Sequence, residues 1–233
     1  MILYVNGDSH TAGAEAVNTH AFAEDDPKYF YLGRAPHPDN LSVSWGKLLS
    51  LALKTGFKCD AESASSNTRI IRTTQEYLAK QSTNEELLVI IQWSTWEREE
   101  WLHDGVYYQV NASGIDHVPQ ALQEKYRHYI MGINWQTKTE EAHNQIWTFH
   151  KELEAKGIKH IFFNGNNSFG GIKDKKDWGT SYVDPYDPKG TFSAKLELAG
   201  IQTVAPNSYH YGKDGHSFFN RFMLQYIIDN KYI

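Results

Sequence analysis

A serine lies in a tight turn close to the start of the chain. Gly7-Asp8-Ser9 directly follows the short apolar run Ile2 to Val5, which indicates a buried strand. A serine between a strand and a helix exposes its oxygen, and the N–H groups of the helix start can hold an oxyanion. The turn therefore predicts a nucleophile at Ser9, while an ordinary helix N-cap at Asp8 or Ser9 fits the same triplet.

Such a serine needs a base, because a free hydroxyl is a weak nucleophile. Histidine is the natural base near neutral pH, and the chain has 11 histidines. Two of them, His210 and His216, lie in one segment near the C-terminal end. A zinc site built from these two and Asp214 lacks the usual zinc spacing and a second ligand cluster, so we expect no metal site. A serine nucleophile with a histidine base also needs no organic cofactor, and we expect none.

Gly7-Asp8-Ser9 followed by Thr11-Ala12-Gly13 resembles the first block of the SGNH (GDSL-type) hydrolases, a superfamily of esterases, lipases and carbohydrate deacetylases. The resemblance implies an α/β fold, the three-layer α/β/α flavodoxin-like arrangement around a central parallel sheet. It also implies that Ser9 attacks an acyl carbon and that its own N–H contributes to the oxyanion hole.

The segment from Asn207 to His216 resembles the last block of this family, in which an acid, two residues and the catalytic histidine precede Gly-His and a terminal helix. Aligned on Gly215-His216, the catalytic histidine is His210 and the orienting acid falls at Asn207. An asparagine can accept a hydrogen bond from Nδ1 but cannot stabilise an imidazolium by charge. The alternative alignment on Asp214-Gly215-His216 is one residue too short for the family.

Two further stretches resemble the oxyanion blocks of the family. Residues 61–70 place Ala64 where the family has a glycine that donates its N–H, and the following Asn67 also fits a helix cap. After the central strand, Gln92 stands at a glycine position and Ser94 at the position of the oxyanion asparagine. The resemblance thus implies oxyanion donors at Ser9, Ala64 and Ser94.

Four residues beside these blocks are candidates for substrate binding: Asp8, Asn67, Trp93 and Arg98. Trp93 and Arg98 fit the wall of an acyl or sugar pocket, and a packed aromatic loop with a surface arginine is the alternative. The aromatic content of 14%, with 7 Trp and 14 Tyr, favours a sugar over a lipid.

The elements that must position these residues alternate along the chain. Strands are predicted at 2–5, 57–61, 86–93, 158–163 and 202–204, and helices at 42–55, 66–81, 119–156 with a break near 132–134, 192–199 and from 213 onward. This order predicts a parallel sheet with helices on both faces. We expect one domain, 1–233, with a loop at 14–41 and insertions near 101–118, read as a hairpin, and near 164–190.

Composition restricts the partners. The net charge of -5 argues against nucleic acid. The longest apolar run, Leu87 to Ile91, is far shorter than the ~20 residues of a membrane span. The single cysteine, Cys59, suits a reducing compartment. The chain start lacks the pattern of a signal peptide, so we expect a cytoplasmic protein without a membrane partner.

These observations predict a serine esterase that works through an acyl-enzyme, with a short acyl group on a carbohydrate as the preferred substrate. Because Asn207, Gln92 and Ser94 depart from the family pattern, a catalytically impaired glycan-binding protein on the same fold is the alternative. A nucleotide-binding protein is disfavoured, because Gly-x-x-x-x-Gly-Lys-Ser/Thr and Gly-x-Gly-x-x-Gly are missing from the sequence. The departures indicate a divergent branch, similar to hydrolase-like proteins of tailed phages.

Overall fold

A computed structural model describes residues 1–18, 35–81, 86–112 and 114–233. The strands in these residues are β1 (Ile2–Asn6), β2 (Gly56–Cys59), β3 (Leu87–Trp93), β4 (Glu99–His103), β5 (Val106–Val110) and β6 (Lys159–Asn164). Four of them form a central parallel sheet in the order β2-β1-β3-β6. A separate antiparallel hairpin is formed by β4 and β5.

Helices cover both faces of this sheet. The α-helices in the described residues are α1 (Ser9–Ala12), α2 (Pro38–Ser42), α3 (Trp45–Leu53), α4 (Asn67–Leu78), α5 (Gln123–Met131), α6 (Trp135–Ala155), α7 (Phe192–Leu198) and α8 (Lys213–Asp229). Helices α3, α7 and α8 pack on one face, and α4 and α6 pack on the other. The three-layer α/β/α arrangement with a central parallel sheet confirms the predicted fold class.

The sheet is buried on both faces because the strands between its edges carry apolar residues without alternation. In β1, Leu3 and Val5 face the layer of α3 and α8, while Tyr4 faces the layer of α4 and α6. In β3, all residues from Leu88 to Trp93 are buried. A continuous apolar strand of this kind is typical of a parallel sheet that is covered on both sides.

Two predictions about the chain between β3 and β6 are confirmed. The strands β4 and β5 form the predicted hairpin. Trp101 and Val110 of this hairpin belong to a small hydrophobic cluster that is separate from the two clusters on the central sheet. The predicted long helix is broken, because α5 ends at Met131 and α6 begins after Asn134. The Asn134 side chain caps α6 by accepting a hydrogen bond from the N–H of Thr137.

Two predictions about loops and strands are wrong. The strand at 202–204 is only an isolated bridge between Thr203 and Tyr211. The edge of β6 is instead met by residues 181–183 from the predicted 164–190 loop: Phe162 donates its N–H to Ser181 O at 2.8 Å. The predicted loop 14–41 contains the start of α2, and residues 19–34 of that loop lie outside the described residues.

In the described ranges, no helix is both long and apolar enough to cross a membrane.

Candidate active site

Ser9 begins α1 immediately after the end of β1, as its sequence position predicted. Asp8 is the N-cap of this helix, since its Oδ1 accepts a hydrogen bond from His10 N at 3.1 Å. Gly13 ends the helix with φ +73, a left-handed conformation that favours glycine. The N-cap interpretation and the nucleophile interpretation of the triplet are therefore compatible.

The turn before Ser9 is closely packed against the end of β3. A Cβ on Gly7 would lie 2.7 Å from Thr11 Oγ1 and 2.9 Å from Gln92 Cβ. The Gln92 Oε1 accepts a hydrogen bond from Thr11 Oγ1 at 2.8 Å. The Gln92 side chain thus uses the space that a side chain at position 7 would need, and this contact fixes the nucleophile turn on the neighbouring strand.

Asp8 is a buried anchor for this turn. Its side chain is 1% exposed, and it accepts hydrogen bonds from Gln92 Nε2 at 2.7 Å, Ser94 Oγ at 2.9 Å and Arg98 Nη1 at 3.0 Å. Burial works to raise the pKa of this carboxyl, but the charges of His10 and Arg98 and the hydrogen bond from Gln92 outweigh it and lower the pKa.

Because Asp8 is enclosed by these groups, it does not face a substrate. This corrects the prediction that Asp8 binds substrate, and the physical reason is that a buried carboxylate needs its partners within the protein.

Ser94 does not offer a free donor for an oxyanion. Its Oγ accepts a hydrogen bond from Arg98 Nη1 at 2.8 Å, so its hydroxyl proton is directed to Asp8. Its backbone N–H donates to Asn67 Oδ1 at 2.9 Å. The prediction of Ser94 as an oxyanion donor is therefore corrected, because both of its donors are engaged inside the protein.

The turn that contains Ala64 lies beside the nucleophile turn. Glu62 donates its N–H to Gly7 O at 3.3 Å, and Ser65 donates to Glu62 O at 3.1 Å. Ala64 has φ +62, a left-handed conformation that costs an L-residue roughly 1–2 kcal/mol. The backbone conformation at Ala64 is therefore one that favours glycine, the residue that the family resemblance implies at this position.

His210 pairs with Glu15. Its Nδ1 lies 2.6 Å from Glu15 Oε2, and the side chains of His210 and Glu15 are 12% and 4% exposed. Ser208 Oγ donates to the same carboxylate oxygen at 2.9 Å and accepts the His210 N–H at 3.0 Å. Glu15 itself has φ +60, so the backbone is held in an uncommon conformation at this residue.

Asn207 does not take the predicted place at Nδ1 of His210. It is exposed, while the neighbouring Ser208 is the buried residue of this loop and contacts the carboxylate. The predicted role of Asn207 as the orienting group is corrected accordingly, since Glu15 lies at the atom that Asn207 was expected to contact.

A ring contact brings the base candidate to the nucleophile turn. The rings of His10 and His210 are 5.8 Å apart in an edge-on arrangement, and His10 directly follows Ser9. Burial lowers the pKa of His10 to about 4. His10 is therefore neutral near pH 7. Of the two imidazoles in this ring contact, His210 is the more exposed.

His216 has a structural role in the N-terminal turn of α8. It is 1% exposed, and its Nδ1 accepts a hydrogen bond from Trp45 N at 3.3 Å. Burial lowers its pKa to about 3. These contacts support the alignment that assigned His210 as the base, because His216 is fully enclosed.

The remaining candidates for substrate binding separate into two groups. Trp93 is fully buried between Phe149 and Phe162 in the core, so it does not line a substrate site and that prediction is corrected. Asn67 and Arg98 line a cavity with a volume of about 360 Å³.

Among the described residues, no group of three or more His, Cys, Asp or Glu side chains could hold a metal ion.

Glu15 is the residue that sequence reasoning missed. The family pattern places the acid three residues before the histidine, which directed attention to position 207. The available signal was weaker: an acidic residue that follows the nucleophile helix after Gly13 and Ala14.

Comparisons with known proteins agree with the fold. A family model of unknown function, DUF6071, matches residues 37–145. No curated protein matches the sequence. Among solved structures, a carbohydrate esterase whose active site displays divergent catalytic and non-catalytic binding functions has a TM-score of 0.53 at 12% identity. It is matched over 98% of this chain and 64% of its own, so this chain spans less than two thirds of that protein.

Two other solved structures show a more distant similarity. A member of the lipolytic G-D-S-L family from Veillonella parvula DSM 2008 has 10% identity and a TM-score of 0.46, over 98% of this chain and 97% of that one. A carbohydrate esterase family 2 enzyme with a carbohydrate-binding domain from Corynascus thermopiles has 12% identity and a TM-score of 0.46, over 100% and 67%. The sheet order, the helical layers and the carbohydrate esterase structure with a TM-score of 0.53 together show that this chain has the fold of the SGNH (GDSL-type) hydrolases.

Proposed function

We propose that this protein is a serine esterase in which Ser9, His210 and Glu15 act together. The observation that carries the proposal is the 2.6 Å contact between His210 Nδ1 and the buried Glu15 carboxylate, beside the turn that bears Ser9. A nucleophile, a base and an acid that orients the base are the three groups that this chemistry needs.

The contact with Glu15 determines which ring nitrogen of the neutral His210 carries the proton. A carboxylate at Nδ1 favours the tautomer with the proton on Nδ1, which leaves a lone pair on Nε2 of His210. That lone pair can take the proton of the Ser9 hydroxyl. The negative charge of Glu15 then stabilises the imidazolium, which an asparagine would not do.

The reaction follows in two steps. Ser9 Oγ attacks the acyl carbon while His210 takes its proton, and the N–H groups of Ser9 and Ala64 hold the oxyanion. The C–O bond to the alcohol then breaks, and His210 returns the proton to the departing alcohol. In the second step His210 removes a proton from water, water attacks the acyl-enzyme, and the free acid leaves as Ser9 regains its proton.

We propose an ester of a short acyl group with a carbohydrate as the substrate. The carbohydrate esterase that shares this fold supports the substrate class. The cavity lined by Asn67 and Arg98 is mostly polar, which suits a hydroxyl-rich alcohol better than a lipid, and Arg98 also donates a hydrogen bond to Asp8 before Ser9. No part of the proposed cycle needs a cofactor.

A second candidate function is glycan binding without hydrolysis. The observation that favours it is the engagement of both Ser94 donors with Asp8 and Asn67, because losing one oxyanion donor can cost about 10²–10³ in rate. The carbohydrate esterase that shares the fold has both catalytic and non-catalytic binding functions.

Labelling with a fluorophosphonate probe tests the proposal. We expect the wild type to be labelled, Ser9→Ala to show no label, and His210→Ala to be labelled much more slowly. His128→Ala serves as the matched control, since His128 is exposed on α5, and it should be labelled like the wild type. A folded wild type that takes no label would reject the esterase and favour the glycan-binding candidate.

A further inference from the structure

The turn that carries Ala64 depends on side chains for its conformation. This segment, residues 60–65, lies between the end of β2 and Ser66, the N-cap of α4, and it is neither helix nor strand. Ala64 has φ +62 within it. A residue other than glycine stays in such a conformation only where its surroundings hold it there. The contacts of residues 60–65 therefore decide where the Ala64 N–H lies.

Arg69, in the first turns of α4, binds this turn at three of its residues. Its Nη1 donates to Asp60 O and to Ser65 Oγ, both at 3.1 Å. Its Nη2 donates to Glu62 Oε2 at 2.6 Å. The Ser65 hydroxyl donates onward to Glu62 O at 2.7 Å. Because Asp60 and Ser65 are the two ends of the segment, one guanidinium connects its start to its end.

These bonds lie in an enclosed part of the protein. The Arg69 side chain is 14% exposed, and Ser65 is fully buried. A hydrogen bond between a charged guanidinium and a carboxylate is stronger than a neutral one, and enclosure shields it from water and salt. The planar fork of arginine also fixes the direction of its bonds. Arg69 is therefore suited to hold one geometry of the turn.

The inserted hairpin also supports this turn. Glu62 Oε1 accepts a hydrogen bond from Gln109 Nε2 of β5 at 2.7 Å, so both oxygens of the carboxylate are bound within the protein. The backbone N–H of Glu62 donates to Gly7 O at 3.3 Å. Glu62 thus connects α4, the hairpin and the turn that precedes Ser9.

We infer that Arg69 is a positioning residue, which holds the Ala64 N–H in place for the oxyanion with the support of Glu62 and Gln109. The inference rests on the proposed esterase, because the oxyanion forms only in that reaction. It gives the inserted hairpin a role in catalysis. It also accounts for an alanine in a backbone conformation that favours glycine, since the bonds of Arg69 offset the cost of the Cβ.

Kinetics on 4-nitrophenyl acetate tests this role. Arg69→Met keeps the length of the side chain and removes the guanidinium. We expect kcat to fall about 10- to 100-fold, less than the 10²–10³ that complete loss of one oxyanion donor can cost. Because the oxyanion is absent from the bound ester, kcat/KM should fall equally and KM should stay within about twofold. Gln109→Leu should lower kcat by about threefold or more in the same manner.

Arg72→Met is the matched control on the same helix. Arg72 forms ion pairs of similar geometry, at 2.7 Å to Glu100 and at 2.9 Å to Glu76, and both partners lie outside the Ala64 turn. This variant should keep kcat within about twofold. Urea midpoints of both variants show how much each loses in stability, so a loss of kcat in Arg69→Met alone is not a general effect of a missing ion pair.

A double variant distinguishes positioning from a merely structural role. Glycine adopts a positive φ without the Cβ penalty, so Ala64→Gly added to Arg69→Met should restore kcat by about threefold or more. The fall in kcat caused by Arg69→Met should accordingly be smaller when Ala64→Gly is present. Equal falls with and without Ala64→Gly would overturn the inference.

Hydrogen exchange gives a readout that does not need activity. The Ser65 N–H donates to Glu62 O at 3.1 Å within the turn. In Arg69→Met this amide should exchange about tenfold faster or more, and in Arg72→Met it should exchange as in the wild type.

Each proposal fails in its own way. If the wild type takes no fluorophosphonate label, the esterase is rejected, and the exchange of Ser65 still decides whether Arg69 holds the turn. If the wild type is labelled and a folded Arg69→Met keeps the kcat of the wild type, or loses it only as Arg72→Met does, the positioning role is rejected and the esterase stands. A rise in KM without a fall in kcat would also reject the positioning role.

Discussion

Nδ1 of His210 lies 2.6 Å from Oε2 of Glu15, although the two residues are 195 positions apart in the chain. Glu15 comes from the turn directly after the helix that carries Ser9. The proposed nucleophile and the proposed acid therefore come from one short segment, and the proposed base comes from the C-terminal part. In this arrangement an acid at position 207 is not needed, because Glu15 lies at Nδ1 of His210 and the exposed Asn207 does not.

Removing the charge of Glu15 is expected to reduce catalysis strongly. Glu15→Gln keeps the size of the side chain but loses the charge that stabilises the imidazolium, so kcat on 4-nitrophenyl acetate should fall on the order of 10²–10⁴-fold. Glu124→Gln, on exposed α5 surface, is the control. Steady-state kinetics with a parallel check of the unfolding midpoint separates catalysis from folding.

The same series tests the residue that the family alignment pointed to. Asn207→Ala should keep kcat within about twofold, because the exposed Asn207 side chain does not meet Nδ1 of His210. A large loss in Asn207→Ala together with a small loss in Glu15→Gln would show that the orienting group is Asn207.

The turn before the nucleophile should not tolerate a side chain at position 7. Gly7→Ala places a Cβ 2.7 Å from Thr11 Oγ1 and 2.9 Å from Gln92 Cβ, which we expect to lower the free energy of unfolding by about 1–3 kcal/mol. Gly171→Ala is the matched control, since nothing lies within 4 Å of its added Cβ. Urea unfolding of both variants measures the difference, and equal midpoints would contradict the close packing of this turn.

The ion pair below the nucleophile turn should be essential to folding as a pair. Arg98→Met leaves the enclosed Asp8 carboxylate without its cation, which should cost about 3–5 kcal/mol. In the double variant with Asp8→Asn, the loss should be smaller than the sum of the two single losses, because no unpaired charge is left behind. A double-mutant cycle from denaturant unfolding gives this coupling, and strictly additive losses would argue against a direct interaction.

Lowering the pH should destabilise the protein before the pH reaches the range in which carboxyl groups ordinarily titrate. Burial lowers the pKa of His10 to about 4, of His160 to about 4 and of His216 to about 3, from the ordinary value of 6.5. The unfolded chain therefore binds protons at these sites before the folded chain does. Stability should be full above about pH 6.5 and decrease between pH 6.5 and 4, by about 1.4 kcal/mol per pH unit for each group.

Urea midpoints measured between pH 7.5 and pH 5 check this prediction. His160→Gln should flatten the dependence of the midpoint on pH. Glutamine does not titrate, so the variant lacks one of the three imidazoles with a lowered pKa, the one that lies 2.8 Å from His150. A midpoint that stays constant down to pH 5 would show that these imidazoles take up protons without unfolding the chain.

The sequence by itself determined the features that depend on neighbouring residues. Apolar runs and helical spacing located the four sheet strands, and polar interruptions located the break between α5 and α6. The Gly7-Asp8-Ser9 turn after β1 was also readable, because burial of one strand and the freedom of one glycine are local properties. A family resemblance added His210.

The tertiary structure decided which distant side chains meet. Glu15 reaches His210, Arg98 reaches Asp8, and the Ser94 hydroxyl turns towards Asp8 and away from an oxyanion role. The pairing of residues 181–183 with β6, in place of the expected last strand, was decided in the same way. Such contacts depend on how loops approach each other across the end of the sheet, and a hydrogen bond between residues 195 positions apart leaves no periodic trace in the sequence.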